Sequence, residues 1–220
     1  MFDHWQNGVD VWTTHTGTIP TRTDGRKPAG PLVVTDLYAA RLNVVTRFAD
    51  WVGYRVTPGR QAGRNSIARN WLHRADDLTI EAQDYTGSGY SMGHLCPLAS
   101  MRADQDAWQL NWTGVIAPQR QELNAGPWYL MESTTRIRAI EHGEAFVAAG
   151  PLYEIDMPLM DECDEPHTVP SHYWARCFTP DRVECWIMPQ DAPRDAPAER
   201  YTVSASELTN RTALTFATCD

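Results

Sequence analysis

Lysine is almost missing from this chain of 220 residues: Lys27 stands alone, and arginine supplies nearly all the positive charge. With 28 acidic against 19 basic residues the formal net charge is −9. That balance excludes a protein held on nucleic acid by a general basic surface, because phosphate binding rewards Lys and Arg. It leaves room for an enzyme that grips one phosphate locally and releases product quickly. Arginine's planar fork suits bidentate phosphate contact, although a surface ion pair is the default role for any single one. Long apolar runs are absent too, and none approaches the roughly 20 residues needed to span a bilayer. The start, Met1-Phe2-Asp3-His4-Trp5-Gln6-Asn7-Gly8, has no basic end followed by an apolar stretch, so no signal peptide is visible. The expectation is a soluble protein with no membrane partner, cytoplasmic or delivered without a classical signal peptide. Cysteine is scarce. The five (Cys96, Cys163, Cys177, Cys185, Cys219) cannot all pair within one chain and form no short disulfide framework. A reducing compartment is the simpler reading, with one or two bridges open to an exported protein.

What is present is ordinary globular material, 42% hydrophobic and 21% charged. The length suits one domain with a sizeable core. Residues 1–35, rich in Thr, Gly and Pro, read as an irregular lead-in, and 36–220 as a single domain. Val44-Val45-Thr46 and Trp51 to Val56 read as strands, being β-branched and aromatic. Residues 59–90 are loop-dominated, with a turn cluster at Thr86-Gly87-Ser88-Gly89, and Trp108 to Ile116 fits helix or strand. A helix is expected from about Gln121 to Glu141. Pro127 falls early in it, so the helix either starts near Asn124 or kinks there. Ala145 to Pro151 has a buried-strand pattern. His172 to Phe178 and Val183 to Met188 flank the turn Thr179-Pro180-Asp181-Arg182 as a hairpin. Gln190 to Arg200 reads as loop, and Ser204 as the cap of a last short helix. The expected class is α+β, a largely antiparallel central sheet flanked by helices.

Two segments carry chemistry. In Tyr90-Ser91-Met92-Gly93-His94-Leu95-Cys96-Pro97, a histidine follows glycine in a turn-rich stretch, where an imidazole of ordinary pKa about 6.5 can take a proton near neutrality. A lone histidine is more often a surface or satisfied core residue. Further on, Asn124, Trp128, Glu132 and Arg136 recur at intervals of four, which places amide, indole, carboxylate and guanidinium along one side of a helix. The plainer alternative is a half-exposed helix carrying a Glu132–Arg136 ion pair. Cys163, His167, His172, Cys177 and Cys185 could suggest zinc, but their spacings match no paired ligand unit.

Together these segments resemble the DNA/RNA non-specific endonuclease family, the Serratia-type nuclease and mitochondrial endonuclease group with a ββα-metal core. The likeness runs in order through Trp51-Val52-Gly53-Tyr54, Ala68-Arg69-Asn70-Trp71, Asp84-Tyr85-Thr86-Gly87, Gly93-His94-Leu95, Pro118-Gln119, the Asn124 helix, Gly150-Pro151-Leu152-Tyr153-Glu154 and His167-Thr168-Val169-Pro170-Ser171 with Tyr173-Trp174. It implies a metal-dependent endonuclease that cuts DNA and RNA with little sequence preference and leaves 5′ phosphates. His94 matches the general base and Asn124 the single protein ligand to Mg²⁺, with Mn²⁺ an alternative. Glu132 matches the acid that holds the hydrated metal, and Arg69 and Arg136 match arginines at the scissile phosphate. Trp71 and Trp128, the tryptophans nearest in sequence to these residues, and Arg120 are further candidates for substrate contact. A protein inhibitor and a homodimer remain open as partners. One departure stands out. Where the family reads Asp-Arg-Gly-His, this chain has Ser91-Met92-Gly93-His94, and a thioether cannot replace a cationic fork. Either Arg69 and Arg136 suffice, or Arg120 or Arg102 takes the missing place.

Overall fold

The computed structural model describes residues 18–63, 67–73, 78–160 and 165–216. Its frame is a seven-stranded antiparallel sheet. In chain order the strands are β2 (Leu32–Val34), β3 (Tyr38–Leu42), β4 (Ala49–Val56), β7 (Ala145–Leu152), β8 (His172–Thr179), β9 (Arg182–Pro189) and β10 (Thr202–Val203). They lie side by side as β10-β9-β8-β7-β4-β3-β2. Two further pairs stand apart: β1 (Pro20–Arg22) with β11 (Leu214–Phe216), and β5 (Ser91–His94) with β6 (Ile116–Gln119). Fold class and sheet character agree with the sequence reading, as do the 172–189 hairpin and the Ser204 cap, whose side chain accepts from the Glu207 amide.

The sheet is covered on both sides, and its sequence shows why. Successive side chains on a strand point to opposite faces. Val52, Val147, Ala149, Tyr173, Ala175, Trp186 and Met188 thus build one core with Leu123, Trp128, Met131 and Ala139 of the long helical segment. Their neighbours Trp51, Ala148, Trp174, Cys185 and Ile187 build a second with Leu208 and Leu214. The helical segment comprises α2 (Gln121–Leu123), a wide π turn (Asn124–Trp128) and α3 (Tyr129–His142), which ends on Gly143 in the left-handed conformation (φ 84°). The expected kink at Pro127 is therefore real. A short α1 (Pro58–Gln61) precedes it, and α4 (Ala205–Thr212) lies on the second face.

Three local expectations change. Val44–Thr46 is a turn, because the Asn43 side-chain oxygen accepts from the Val45 and Thr46 amides and ends the strand. The stretch 18–35 is not irregular: β1 and β2 fall within it and pair with β11 and β3. Trp108 to Ile116 is neither long helix nor long strand but two 3-10 turns leading into β6. Residues 1–17, Cys163 and Cys219 lie outside the described residues. Among the described residues no helix is long and apolar enough to cross a membrane.

Candidate active site

The β5–β6 hairpin and the helical segment after it form a ββα unit against the edge of the first core. Register pairs Ser91 with Gln119, Met92 with Pro118, Gly93 with Ala117 and His94 with Ile116. Alternation puts Met92 and His94 on one face. On the other, Gly93 lies so close beneath the Gln119 side chain that an added Cβ would stand 2.2 Å from its Oε1. From Gln119 the chain turns at Arg120 directly into α2, and the Asn124 amide donates to the Arg120 carbonyl at 2.9 Å. Pro127 has no N–H to give, so the helix widens where Asn124 stands, a distortion that often marks functional sites.

That turn is braced from behind. Gln190, buried at the end of β9, receives the Arg120 amide on Oε1 (2.9 Å), while its Nε2 donates to the carbonyls of Pro118 (2.8 Å) and Pro170 (3.1 Å). The Tyr173 hydroxyl donates to the same Pro118 oxygen at 2.6 Å. Gly126 abuts the Arg194 carbonyl, where a Cβ would meet the oxygen at 2.5 Å. Loop 190–194 therefore holds both ends of the stretch bearing Asn124. Nothing in the residue order pointed to this role, because a glutamine in a polar loop has no pattern to betray it.

His94 is half-buried at the end of β5. Its Nε2 stands 3.3 Å from Asn111 Oδ1, and the amide nitrogen of Asn111 donates to the Ala68 carbonyl at 2.8 Å. The second bond fixes which way the amide points, so Oδ1 faces the ring and Nε2 carries the proton. Nδ1 is left as the basic nitrogen. Burial pushes the imidazole down to about 4; the Asn111 bond opposes this and the Arg69 charge adds to it. The ring is therefore neutral, and able to accept a proton, at ordinary pH. Asn111 was not foreseen, and only its placement opposite β5 reveals it.

Trp128, expected to touch substrate, is 1% exposed and does something else. Its indole N–H lies 3.4 Å from the His94 carbonyl and also bonds the Glu132 carboxylate, while its ring meets Tyr173 edge-on. It joins strand to helix from inside. Glu132 is 9% exposed, and burial raises its carboxyl to about 8 against the opposing pull of Arg136 and Trp128. Arg136 Nη1 is 4.0 Å from that carboxylate and has no hydrogen-bond partner, whereas Nη2 donates to Ser133 at 2.7 Å. Along the fourfold stripe Trp128 and Glu132 are thus buried, while Asn124 and Arg136 at its ends are half-buried.

His94, Trp128, Glu132 and Arg136 form one connected group, with Asn124 a turn ahead on the same element and the exposed Arg69 close enough to depress the imidazole. The Arg120 and Arg102 side chains are both exposed, and no contact joins either to this group among the described residues. Met92 packs against an apolar cluster with Trp71, Tyr90 and Met157. Ser91 donates to Gln121 Oε1 at 2.5 Å. No group of three or more His, Cys, Asp or Glu able to hold a metal occurs among the described residues. His167 and His172 are engaged with Asp84 (3.3 Å) and Glu154 (3.2 Å) instead of sharing a zinc ion. The donors at the ββα unit are of a different kind. They are the Asn124 amide and the buried Glu132; the Gln119 amide, buried with neither polar atom hydrogen-bonded, lies over Gly93 on the face of the hairpin away from His94. A neutral oxygen donor beside one carboxylate suits a hard, hydrated dication.

The family model for DNA/RNA non-specific endonucleases matches residues 25–219. Among relatives, the nuclease of Serratia marcescens is 32% identical over 198 residues, covering 83% of this chain and 73% of its own. Human mitochondrial endonuclease G is 26% identical over 199 residues, 78% of this chain and 64% of its own. A crystal structure of an EndoG/EndoGI complex superposes with a TM-score of 0.75 at 19% identity, over 96% of this chain and 92% of that one. The fold is therefore that of EndoG, and the chain belongs to the DNA/RNA non-specific endonuclease family, a family of nucleases.

Proposed function

We propose that the protein hydrolyses phosphodiester bonds of both DNA and RNA in a Mg²⁺-dependent reaction, with little base preference, and leaves 5′-phosphate ends. The observation that carries this reading is a neutral imidazole whose basic nitrogen is freed by Asn111, on a strand that Trp128 links to the buried Glu132 and its half-buried partner Arg136, whose Nη1 is unspent. His94 Nδ1 takes the proton of the attacking water, whose oxygen bonds to phosphorus as the 3′ oxygen leaves. Asn124 supplies the amide oxygen that would hold a Mg²⁺ or Mn²⁺ ion, and Glu132 the buried carboxyl that would steady its hydration. When bound, such an ion neutralises charge gathering on the phosphate and the departing oxygen. Arg69 and Arg136 add two guanidinium donors for the phosphate oxygens. Met92 contributes no charge, so phosphate binding rests on these two. Recognition through backbone phosphate carries no sequence information. A protein inhibitor fits this reading as a partner, since the structural neighbour is EndoG in complex with EndoGI and its study concerns inhibition of EndoG.

Purified protein incubated with plasmid and RNA is expected to degrade both with Mg²⁺ and neither with EDTA. His94→Ala and Asn124→Ala should each lose about 10³-fold in rate, within the span for a general base or a positioned charge. Intact nucleic acid after long exposure of the wild type to magnesium would refute the activity.

A further inference from the structure

Trp71 lies on a segment pinned from both sides. The Asn111 side chain donates to the Ala68 carbonyl at 2.8 Å, the Leu72 amide donates to the Asn111 carbonyl at 3.0 Å, and the Thr113 amide donates to the Leu72 carbonyl at 3.0 Å. This holds the indole with its centroid 5.5 Å from the His94 ring, inclined by 36°. Trp71 packs against a cluster of Phe48, Ile80, Tyr85, Ile116, Met160 and Val169, yet remains half-buried. Tyr90, Met92 and Met157 rest on the same cluster and are likewise half-buried. Met92 shares its strand face with His94. Two aromatic rings and two thioethers thus rest half-buried on one apolar cluster, with the Trp71 ring set against His94.

Two plain roles for Trp71 do not account for this placement. A core tryptophan would be enclosed, as Trp128 and Trp174 are at 1% exposure each. A phosphate contact needs a cation or a donor array, which thioethers and ring faces do not provide. Continuity with the hydrolytic site selects the ligand, because what adjoins a scissile phosphate on either side is a sugar and its base. Flat, uncharged rings accept a base face irrespective of its sequence. A chain of net charge −9 also has more need than a basic protein of binding that does not depend on cations.

We propose that Trp71, flanked by Met92, forms a nucleobase-stacking subsite that takes the unpaired base next to the scissile phosphate and so favours single-stranded nucleic acid. A base in a duplex must first leave its own stack to reach the Trp71 ring, at a cost that an unpaired base does not meet. The proposal rests on the nuclease reading above and adds a substrate preference to it.

The test is a single-stranded oligonucleotide in which one abasic site is walked past a fixed cleavage position, cut by wild type, Trp71→Ala and Trp71→Phe. For the wild type, an abasic nucleotide beside the scissile bond should reduce kcat/KM about tenfold, the scale of one base–aromatic stack. In Trp71→Ala that penalty should vanish, and in Trp71→Phe it should largely persist. The ratio of single-strand to duplex cutting should fall in parallel in the alanine variant. If Trp71 merely props the imidazole, Trp71→Ala slows every substrate by one factor and the abasic penalty survives, which overturns the proposal. Should the alanine variant not fold, the phenylalanine variant still decides: loss of the penalty there, with the wild-type melting curve retained, counts against a stack. Wild-type protein that cuts no substrate fails the nuclease reading itself and takes the subsite with it.

Discussion

Two carboxylate–arginine pairs in this molecule use the same chemistry to opposite ends. Glu154 receives both Nε and Nη2 of Arg211, at 2.8 and 2.6 Å, with His172 Nδ1 3.2 Å away. The Arg211 bonds hold its carboxyl below the usual range against the opposing effect of burial. This pair is bidentate, shared with solvent and fully engaged, and it clasps α4 to the end of β7. Glu132 is buried and Arg136 half-buried; they stand 4.0 Å apart and leave Arg136 Nη1 without a hydrogen-bond partner, with the carboxyl raised to about 8. A pair selected only to hold helix turns together would close up, since an unmet buried donor and a desolvated carboxyl both cost stability. The slack pair is linked through Trp128 to the strand that carries His94, and the tight one is not. Unspent polar capacity, more than the presence of charge, separates the working carboxylate from the structural one.

Removing each acid in turn should make the contrast sharpest. Glu132→Gln is expected to lower cleavage about 10²- to 10³-fold while raising the melting temperature of the metal-free protein. The sign follows from linkage. A folded-state pKa above the unfolded value means that ionisation favours the unfolded chain, so stability falls as pH rises from about 4.5 towards about 8. At neutral pH the penalty removed by an amide is on the order of a few kcal/mol. Glu154→Gln should do the reverse, leaving cleavage within about twofold and lowering the melting temperature by a few degrees. If both variants lose stability and keep activity, the distinction between the two pairs is wrong.

The pH profile refines the same point. His94, held near 4, is already neutral across the ordinary range and should not limit the rate there. Glu132 is uncharged below about 8 and becomes a better anion above it. The Mg²⁺ concentration for half-maximal cutting is therefore expected to fall as pH rises towards about 8, and this trend should disappear in Glu132→Gln. A magnesium titration at several pH values measures it; a midpoint independent of pH in the wild type contradicts the assignment.

Sequence order already singled out His94, Asn124, Glu132 and Arg136 as candidates, because they carry distinctive side chains at distinctive spacings, and it located the sheet, because its strands alternate or run apolar between clear turns. What stayed hidden has a common cause. Asn111 and Gln190 are amides with no periodic pattern, and each acts on partners distant in sequence: Asn111 on His94 and Ala68, 17 and 43 residues away, and Gln190 on Pro118, 72 residues away. Trp128 misled for the converse reason. Its position in the stripe was right, but a stripe does not say which side of a helix faces solvent, and the sheet buries this one. Val44–Thr46 failed through local turn chemistry, where the Asn43 side chain outcompetes β-propensity.

A gentler perturbation asks whether the site depends on its brace as the distant clasp does not. Gly126→Ala leaves every proposed chemical group intact but sets a methyl 2.5 Å from the Arg194 carbonyl. Either loop 190–194 or the turn holding Asn124 must move. The expected result is a rise of about tenfold in the magnesium midpoint with a smaller fall in maximal rate, the effect of a ligand displaced by a fraction of an ångström. Loss of maximal rate without a shift in the midpoint would mean that the brace acts on His94 rather than on Asn124.

The smallest effect concerns salt, and it weighs the site against the rest of the surface. Each phosphate neutralised by a cationic side chain steepens the fall of log kcat/KM with log salt by about 0.9 on duplex DNA. If only Arg69 and Arg136 face phosphate, the slope should be near −2, since Met92 adds nothing and a surface of net charge −9 gathers no counterion-releasing contacts elsewhere. Met92→Arg should steepen it by about one, provided the new guanidinium reaches the phosphate from the face that His94 already occupies. A wild-type slope several times larger would show that arginines far from His94 and Asn124 carry the substrate. The local grip inferred from the slack Glu132–Arg136 pair would then be only part of how this enzyme holds a polyanion.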